Sequence, residues 1–219
     1  MLTHTVEDYL KRLFIEQQNV GTELVPTGHL ATCLGVTPGT ATAMVKSLAR
    51  QGLVDHQSRR GVRLTREGER HAIGVLRRHR IIELFLVKVL GMNWADVHVE
   101  AELMEHSVSD AVLMQMDSML GSPTHDPHGD PIPDALGNMS KHDHPALESC
   151  EVGMPLTVAR ITDESPAFLK FIDHHGLNPG INVTINARDG VNQRLVLDTS
   201  AGEQNISCDD ARKIHVSMR

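Results

Sequence analysis

VTPGTATAMVKSLARQG, residues 36–52, runs directly into LVDHQSRRGVRLT, residues 53–65, and these two stretches decide how the first third of the chain folds. Thr37 stands where a helix N-cap belongs, Pro38 takes the first helical position, and Gly52 falls just past the end. The second stretch reads as strand, turn, strand, with SRRG (58–61) at the tip. Upstream, Thr27 can cap a short helix over about 27–34, with Leu30, Ala31 and Leu34 inward and Gly35 ending it. Two short helices joined by a Gly-containing turn form a helix-turn-helix, and the hairpin after it forms a wing. Thr5 can cap an earlier helix carrying Val6, Tyr9, Leu10, Leu13 and Phe14 on one face.

The 36–52 helix opens with small residues, Thr37, Pro38, Thr40 and Thr42, which suit close approach to a groove. Lys46 and Arg50 lie further along, and Arg59 and Arg60 at the wing tip suit phosphates. The charge distribution agrees. The net charge of −7 is uneven: residues 1–80 hold 12 Lys/Arg against 7 Asp/Glu, and the remainder 9 against 21. A basic N-terminal unit on an acidic body fits double-stranded DNA at one end and cations at the other. The three cysteines lack CxxC spacing, so neither a disulfide framework nor a zinc ribbon is expected, and Cys33 and Cys208 read as small core residues. No apolar run reaches membrane-span length and MLTHTVEDYLKRL lacks the form of a signal peptide, so the expectation is a cytoplasmic protein with no membrane partner.

A long helical pattern runs from Thr65 to about Leu90, and after Gly91 and Asn93 another is expected to continue to about Leu120. The second contains VHVEAELMEH (97–106), with two histidines and three glutamates among apolar residues. At about 100° per residue, His98, Glu102, Glu105 and His106 share one face and Glu100 falls opposite, as a solvated charge. His98 and His106 are roughly 12 Å apart along the axis, too far for one ion with bonds of about 2.0–2.2 Å. Glu102, Glu105 and His106 can converge on one ion. His98 needs other partners, and RRHRIIELF upstream offers His79 and Glu83 at i, i+4. Two metal sites are expected, since burying unpaired carboxylates among Ile, Leu, Val and Met is costly. These two helices carry more large apolar residues than they can bury alone, which implies a homodimer.

The segment from Ser122, SPTHDPHGDPIPDALGNMSKHDHP, reads as loop by its proline, glycine and aspartate content; its His125, His128, His142 and His144 are read as members of a polar connector. LTVARI, INVTINA, QRLVLD, NIS and KIHVSM read as five short strands, with an Asp189-Gly190 turn and one helix over SPAFLKFIDHHG. The fold class is mainly α with small β elements. The domains are a winged helix-turn-helix (1–73), a helical dimerisation and metal-binding domain (74–139), a linker (140–150), and a C-terminal SH3-like, FeoA-like β-barrel (151–219).

This order, with EDYL (7–10), RHRIIE (78–83) and VHVEAELMEH, resembles the diphtheria toxin repressor and manganese transport regulator family of metal-dependent transcriptional regulators across essentially the whole chain. The resemblance implies a repressor of metal-uptake genes on a palindromic operator. It implies a primary site of Asp8, Glu102, Glu105 and His106, and an ancillary site of His79, Glu83 and His98 to which the tail can add Glu164. The second tail position holds Ala167. Iron-responsive relatives carry Met and Cys where this chain has Asp8 and Glu102. Carboxylates suit Mn(2+), with Fe(2+) as the alternative, and Zn(2+) or Co(2+) can substitute in vitro. Lys11 stands where short manganese regulators carry a glutamate, which argues against a closely spaced ion pair. Since Asp8 lies in the DNA-binding domain and the other primary ligands do not, metal is expected to select the operator-binding conformation.

Two other classes are weighed. A dinuclear metallohydrolase needs ions about 3.5–4 Å apart and an open coordination position; the two sites here are separated by about two helical turns and no nucleophile is evident, so no enzyme is expected. A winged-helix regulator of an organic ligand would bind DNA regardless of chelators.

Overall fold

The structure, a computed structural model, describes residues 2–20, 24–140 and 144–218, the side chains of 19 and 20 excepted. The chain forms two compact units, Met1–His79 with Pro133–Asn138, and Arg80–Ile132 with Met139–Arg219.

In the first unit, α1 (His4–Val20), α2 (Thr27–Cys33) and α3 (Pro38–Arg50) precede the hairpin of β1 (Val54–Gln57) and β2 (Gly61–Leu64). The α3 signals are realised: Thr37 Oγ1 accepts from the Thr40 amide at 3.2 Å and Pro38 sits at N1. Gly52 takes a left-handed φ of 72° just past the helix end, where glycine costs least. The two earlier helices begin slightly away from the expected caps. Thr3, not Thr5, stands just before α1 and accepts from the Val6 amide, at 3.4 Å to Oγ1 and 2.9 Å to the carbonyl. Pro26, not Thr27, occupies the N-cap of α2, because its extended φ and ψ suit that position. Val6, Tyr9, Leu10, Leu13 and Phe14 are buried as the α1 periodicity requires. Each buried Leu or Phe contributes about 1.5–3 kcal/mol. At the start of β2, next to the wing tip, a Cβ on Gly61 would stand 2.6 Å from the Val25 carbonyl oxygen, so only glycine lets β2 approach there.

Helix α4 (Arg66–Lys88) carries the chain into the second unit, where α5 (Val97–Met104) and α6 (Asp110–Met119) follow. The single helix expected to reach Leu120 is broken. Ser109 caps α6, its hydroxyl accepting from Val112 N at 3.4 Å, and Glu105 ends α5 with helical φ and ψ of −57° and −30°. Val97, Ala101, Leu113 and Met116 bury against Ile81, Ile82, Leu84 and Leu86 of α4. Leu103, Val99 and Met114 remain exposed on α5 and α6.

The C-terminal strands are β3 (Pro155–Ile161), β4 (Asn182–Asp189), β5 (Arg194–Thr199), β6 (Gly202–Ser207) and β7 (Ile214–Met218). They form one antiparallel sheet in the order β6-β5-β4-β3-β7. Alternate residues Leu156 and Val158, Val183 and Ile185, Leu195 and Leu197 point to one core. Two further helices stand between strands, α7 (Pro166–His174), which adds Phe168, Leu169 and Ile172 to that core, and α8 (Cys208–Ala211). Ala95 and Trp94, just before α5, pack into the same core. Cys208 is buried there, as expected; Cys33 is only half-buried.

Residues 122–132 of the segment read as a connector are built into the second unit. Ile161 N donates to the His128 carbonyl at 2.9 Å. Gly129, at φ 88°, lies so close to β3 that a Cβ would stand 2.0 Å from the Ala159 carbonyl oxygen. The register shift of β3 against β7 between Val158 and Arg160 falls at this contact.

Candidate metal centre

Two neighbouring parts of the second unit bring ligand side chains together. In the first, Glu83 of α4 is almost fully buried, and its two oxygens face different histidines. His98 Nδ1 of α5 lies 3.1 Å from Oε1, and His128 Nδ1 lies 3.8 Å from Oε2. His98 Nδ1 is also 3.4 Å from Glu164 Oε2, and its Nε2 is 3.7 Å from Glu102 Oε1. Glu83, His128 and Glu164 each offer a donor atom within 4.8 Å of the others. His79, also buried, stands one helical turn before Glu83 on α4.

His128 was not among the expected ligands, and its protonation pattern is informative. Its Nε2 lies 3.0 Å from the Trp94 carbonyl, an acceptor only, so Nε2 carries a proton and donates. In the neutral ring Nδ1 then holds a lone pair. That atom has no hydrogen-bond partner among the described residues and faces a carboxylate oxygen. A lone pair against a buried carboxylate is unfavourable unless a proton or a cation lies between, and an imidazole fixed by a backbone carbonyl on its other nitrogen is the usual posture of a metal ligand. Burial, then the charges of Glu83 and Asp130, push the Glu164 carboxyl above its ordinary range, against opposing contributions from His128 and His98. A divalent cation would remove this excess of negative charge, so the residues fit a metal.

The loop holding His128 is fixed by a charged framework. Asp126 Oδ1 accepts from the amides of His128 at 2.8 Å and Asp130 at 2.9 Å. Arg80 Nη2 reaches Asp130 Oδ1 at 3.0 Å and Arg160 Nη2 reaches the same oxygen at 2.7 Å. Asp126 lies well above the usual carboxylate range, first because it is buried and then because Asp130 and Glu83 crowd it. His125 bonds Thr124 at 2.9 Å, and the His144 carbonyl accepts from His215 Nδ1 at 2.7 Å. His142 lies outside the described residues.

The second group lies at the end of α5. Glu105 is buried, and His106 Nε2, just past the helix end, stands 3.3 Å from Glu105 Oε1. Glu102 is half-exposed on the same helix, and Glu100 is exposed, as expected. Asp8, half-buried on α1, belongs to the first unit.

Among the expected DNA-contacting residues, Thr37, Pro38, Thr40, Lys46, Arg59 and Arg60 are exposed and Thr42 is half-buried. Arg59 takes a left-handed φ of 63° at the wing tip. Thr42 Oγ1 donates to the Pro38 carbonyl at 2.7 Å, which leaves it to act on a partner only as an acceptor.

Comparison with known proteins identifies the parts of the chain. Residues 1–62 match the N-terminal DNA-binding domain of iron-dependent repressors, 65–134 their metal-binding and dimerisation domain, and 146–218 the FeoA domain. The iron-dependent repressor IdeR of Mycobacterium leprae is 28% identical over 94% of this chain and 93% of its own. A solved manganese-dependent transcriptional repressor in complex with manganese is 37% identical, superposes with a TM-score of 0.87, and is matched over 98% of this chain and all of its own. ScaR with bound Zn2+ is 30% identical over 98% of this chain and 99% of its own, at a TM-score of 0.78. No helix among the described residues is long and apolar enough to cross a membrane. The chain belongs to the iron-dependent, or diphtheria toxin, repressor family of metal-dependent DNA-binding transcriptional repressors.

Proposed function

We propose that this repressor answers to Mn(2+), through a primary site of Asp8, Glu102, Glu105 and His106 and an ancillary site of His79, Glu83, His98 and Glu164, with His128 as a further ligand. The observation that carries the reading is the donor set, which is oxygen and nitrogen throughout. Hard carboxylate oxygens suit Mn(2+), whereas sulfur would favour softer ions. The likeness to a repressor solved with manganese supports it. Fe(2+) remains the second reading, supported by the likeness to IdeR.

A bound divalent ion would supply the positive charge that three converging carboxylates lack. Without it, Asp8, Glu102 and Glu105 repel, and Asp8 is the one carried by the unit with the recognition helix. Its ligation biases that unit toward the geometry in which two recognition helices of a homodimer engage half-sites about 34 Å apart, or a multiple, on a palindromic operator. Glu83, His98, His128 and Glu164 brace the helical part against the SH3-like part of their own unit. The division into 1–73, 74–139 and 151–219, and a cytoplasmic location, are part of this reading. A mobility-shift titration tests it. Tight binding to a selected operator should need Mn(2+) and vanish with chelator; equal binding in both would leave an organic ligand, or none, as the effector.

A further inference from the structure

We propose that Glu16, His29 and Cys33 form a separate cation site within the DNA-binding unit, for a borderline-soft divalent ion of the Zn(2+) class. His29 and Cys33 are four residues apart on α2, so both side chains leave one face of the helix, and Glu16 reaches them from α1. His29 Nε2 is 2.7 Å from Glu16 Oε2, and Cys33 Sγ is 3.5 Å from the same His29 nitrogen. All three donor atoms lie within 4.8 Å of one another. Around a tetrahedral ion with bonds of about 2.0–2.3 Å, ligand atoms stand about 3.3–3.8 Å apart. The Cys33–His29 separation already has that value, and the Glu16–His29 hydrogen bond has only to open by about half an ångström.

The setting favours an ion over an ordinary surface ion pair. The Glu16 side chain is only 9% exposed, and Arg12 Nη1 holds its other oxygen, Oε1, at 3.5 Å, which fixes the carboxylate and leaves Oε2 toward the cluster. His29 is open to solvent, which gives an ion a way in. Burial and the Glu16 charge push the Cys33 thiol up, so it stays protonated at neutral pH when no ion is near. Binding forms one S–metal bond and releases the thiol proton to solvent, and solvent can take the fourth position. One thiolate, one imidazole and one carboxylate make a softer set than the oxygen and nitrogen donors proposed for the two manganese sites, so Mn(2+) is disfavoured here. The ion would tie α1 to α2, the helix that packs on recognition helix α3.

Co(2+) titration of the full-length protein tests this, because a thiolate ligand produces a near-ultraviolet charge-transfer band that oxygen and nitrogen sites do not. The wild type should develop the band to saturation within about three equivalents per chain, because the two manganese sites also take up Co(2+), with an amplitude that corresponds to one cobalt–thiolate centre, and Zn(2+) should bleach it. Cys33→Ser should abolish it, His29→Ala should weaken the underlying affinity at least tenfold, and Cys150→Ser should leave it intact. Glu105→Ala should also leave it intact, so the manganese reading and this one fail separately. No band in the wild type, a band that survives Cys33→Ser, or an unchanged affinity in His29→Ala would overturn the proposal.

Discussion

His128 turns Nδ1 toward Glu83, 3.8 Å from Oε2, while its Nε2 donates to the Trp94 carbonyl at 3.0 Å. This pairing joins a loop, a helix of the dimerisation region and the segment before α5 at one buried point. It also places a side chain of the loop from Ser122 beside Glu83 and within the donor group that includes Glu164.

His128→Ala should therefore lower metal affinity at the ancillary site by at least 10–100-fold while leaving primary-site binding in place. Isothermal titration with Mn(2+) would show one of two binding steps weakened. Two unaltered steps would return His128 to a structural role.

Gly129→Ala tests the same loop from its backbone. The new Cβ would collide with the Ala159 carbonyl oxygen at 2.0 Å, in a left-handed conformation that alanine adopts at a cost. A loss of more than about 1 kcal/mol is expected in chemical denaturation, with the ancillary affinity falling alongside.

The metal-free protein should lose stability as pH rises above the ordinary carboxylate range. Glu164 and Asp126 hold their protons more tightly folded than unfolded, so the native state binds more protons in that window and stability falls with pH until both have ionised. The lowered carboxyls, Asp163 and Asp134 among them, act in the opposite direction below the ordinary range, so the two windows separate. Thermal melts from mildly acid to neutral pH should show the decline without metal and little of it with Mn(2+).

The helix-turn-helix was legible because Thr37, Pro38 and Gly52 are local signals that tertiary structure had no reason to overrule. The break between α5 and α6 was not, because Met104, Val108 and Leu113 continue the apolar period across it while the Ser109 cap lies inside the pattern. Glu83, His98 and Glu164 were legible as ligand types, and the structure places them together. His128 was not: only the packing of the loop on β3 brings it to Glu83, and a segment rich in proline and glycine carries no period to reveal this. Cys33 sits among Ala31 and Leu34 and reads as core, yet its i, i+4 spacing from His29 was the available signal.

Lys46, Arg59 and Arg60 are exposed on α3 and the wing. Replacing any one with Ala should weaken DNA binding about equally across sequences and flatten the salt dependence by roughly one unit in log–log slope. A changed sequence preference at constant slope would make that residue a base reader.

Glu105→Ala or Asp8→Ala should reduce metal activation of DNA binding at least tenfold and leave the dimer folded by circular dichroism and sedimentation. Loss of the dimer in either would place these residues in assembly instead of activation.

Metal identity is the central claim, and affinity in vitro judges it poorly because Zn(2+) and Co(2+) bind such ligands more tightly than Mn(2+) does. The direct measurement is repression of an operator reporter in cells grown with manganese and iron supplied separately. Repression by manganese at iron-limited growth, lost in Asp8→Ala, is the predicted result; repression by iron and none by manganese would contradict it.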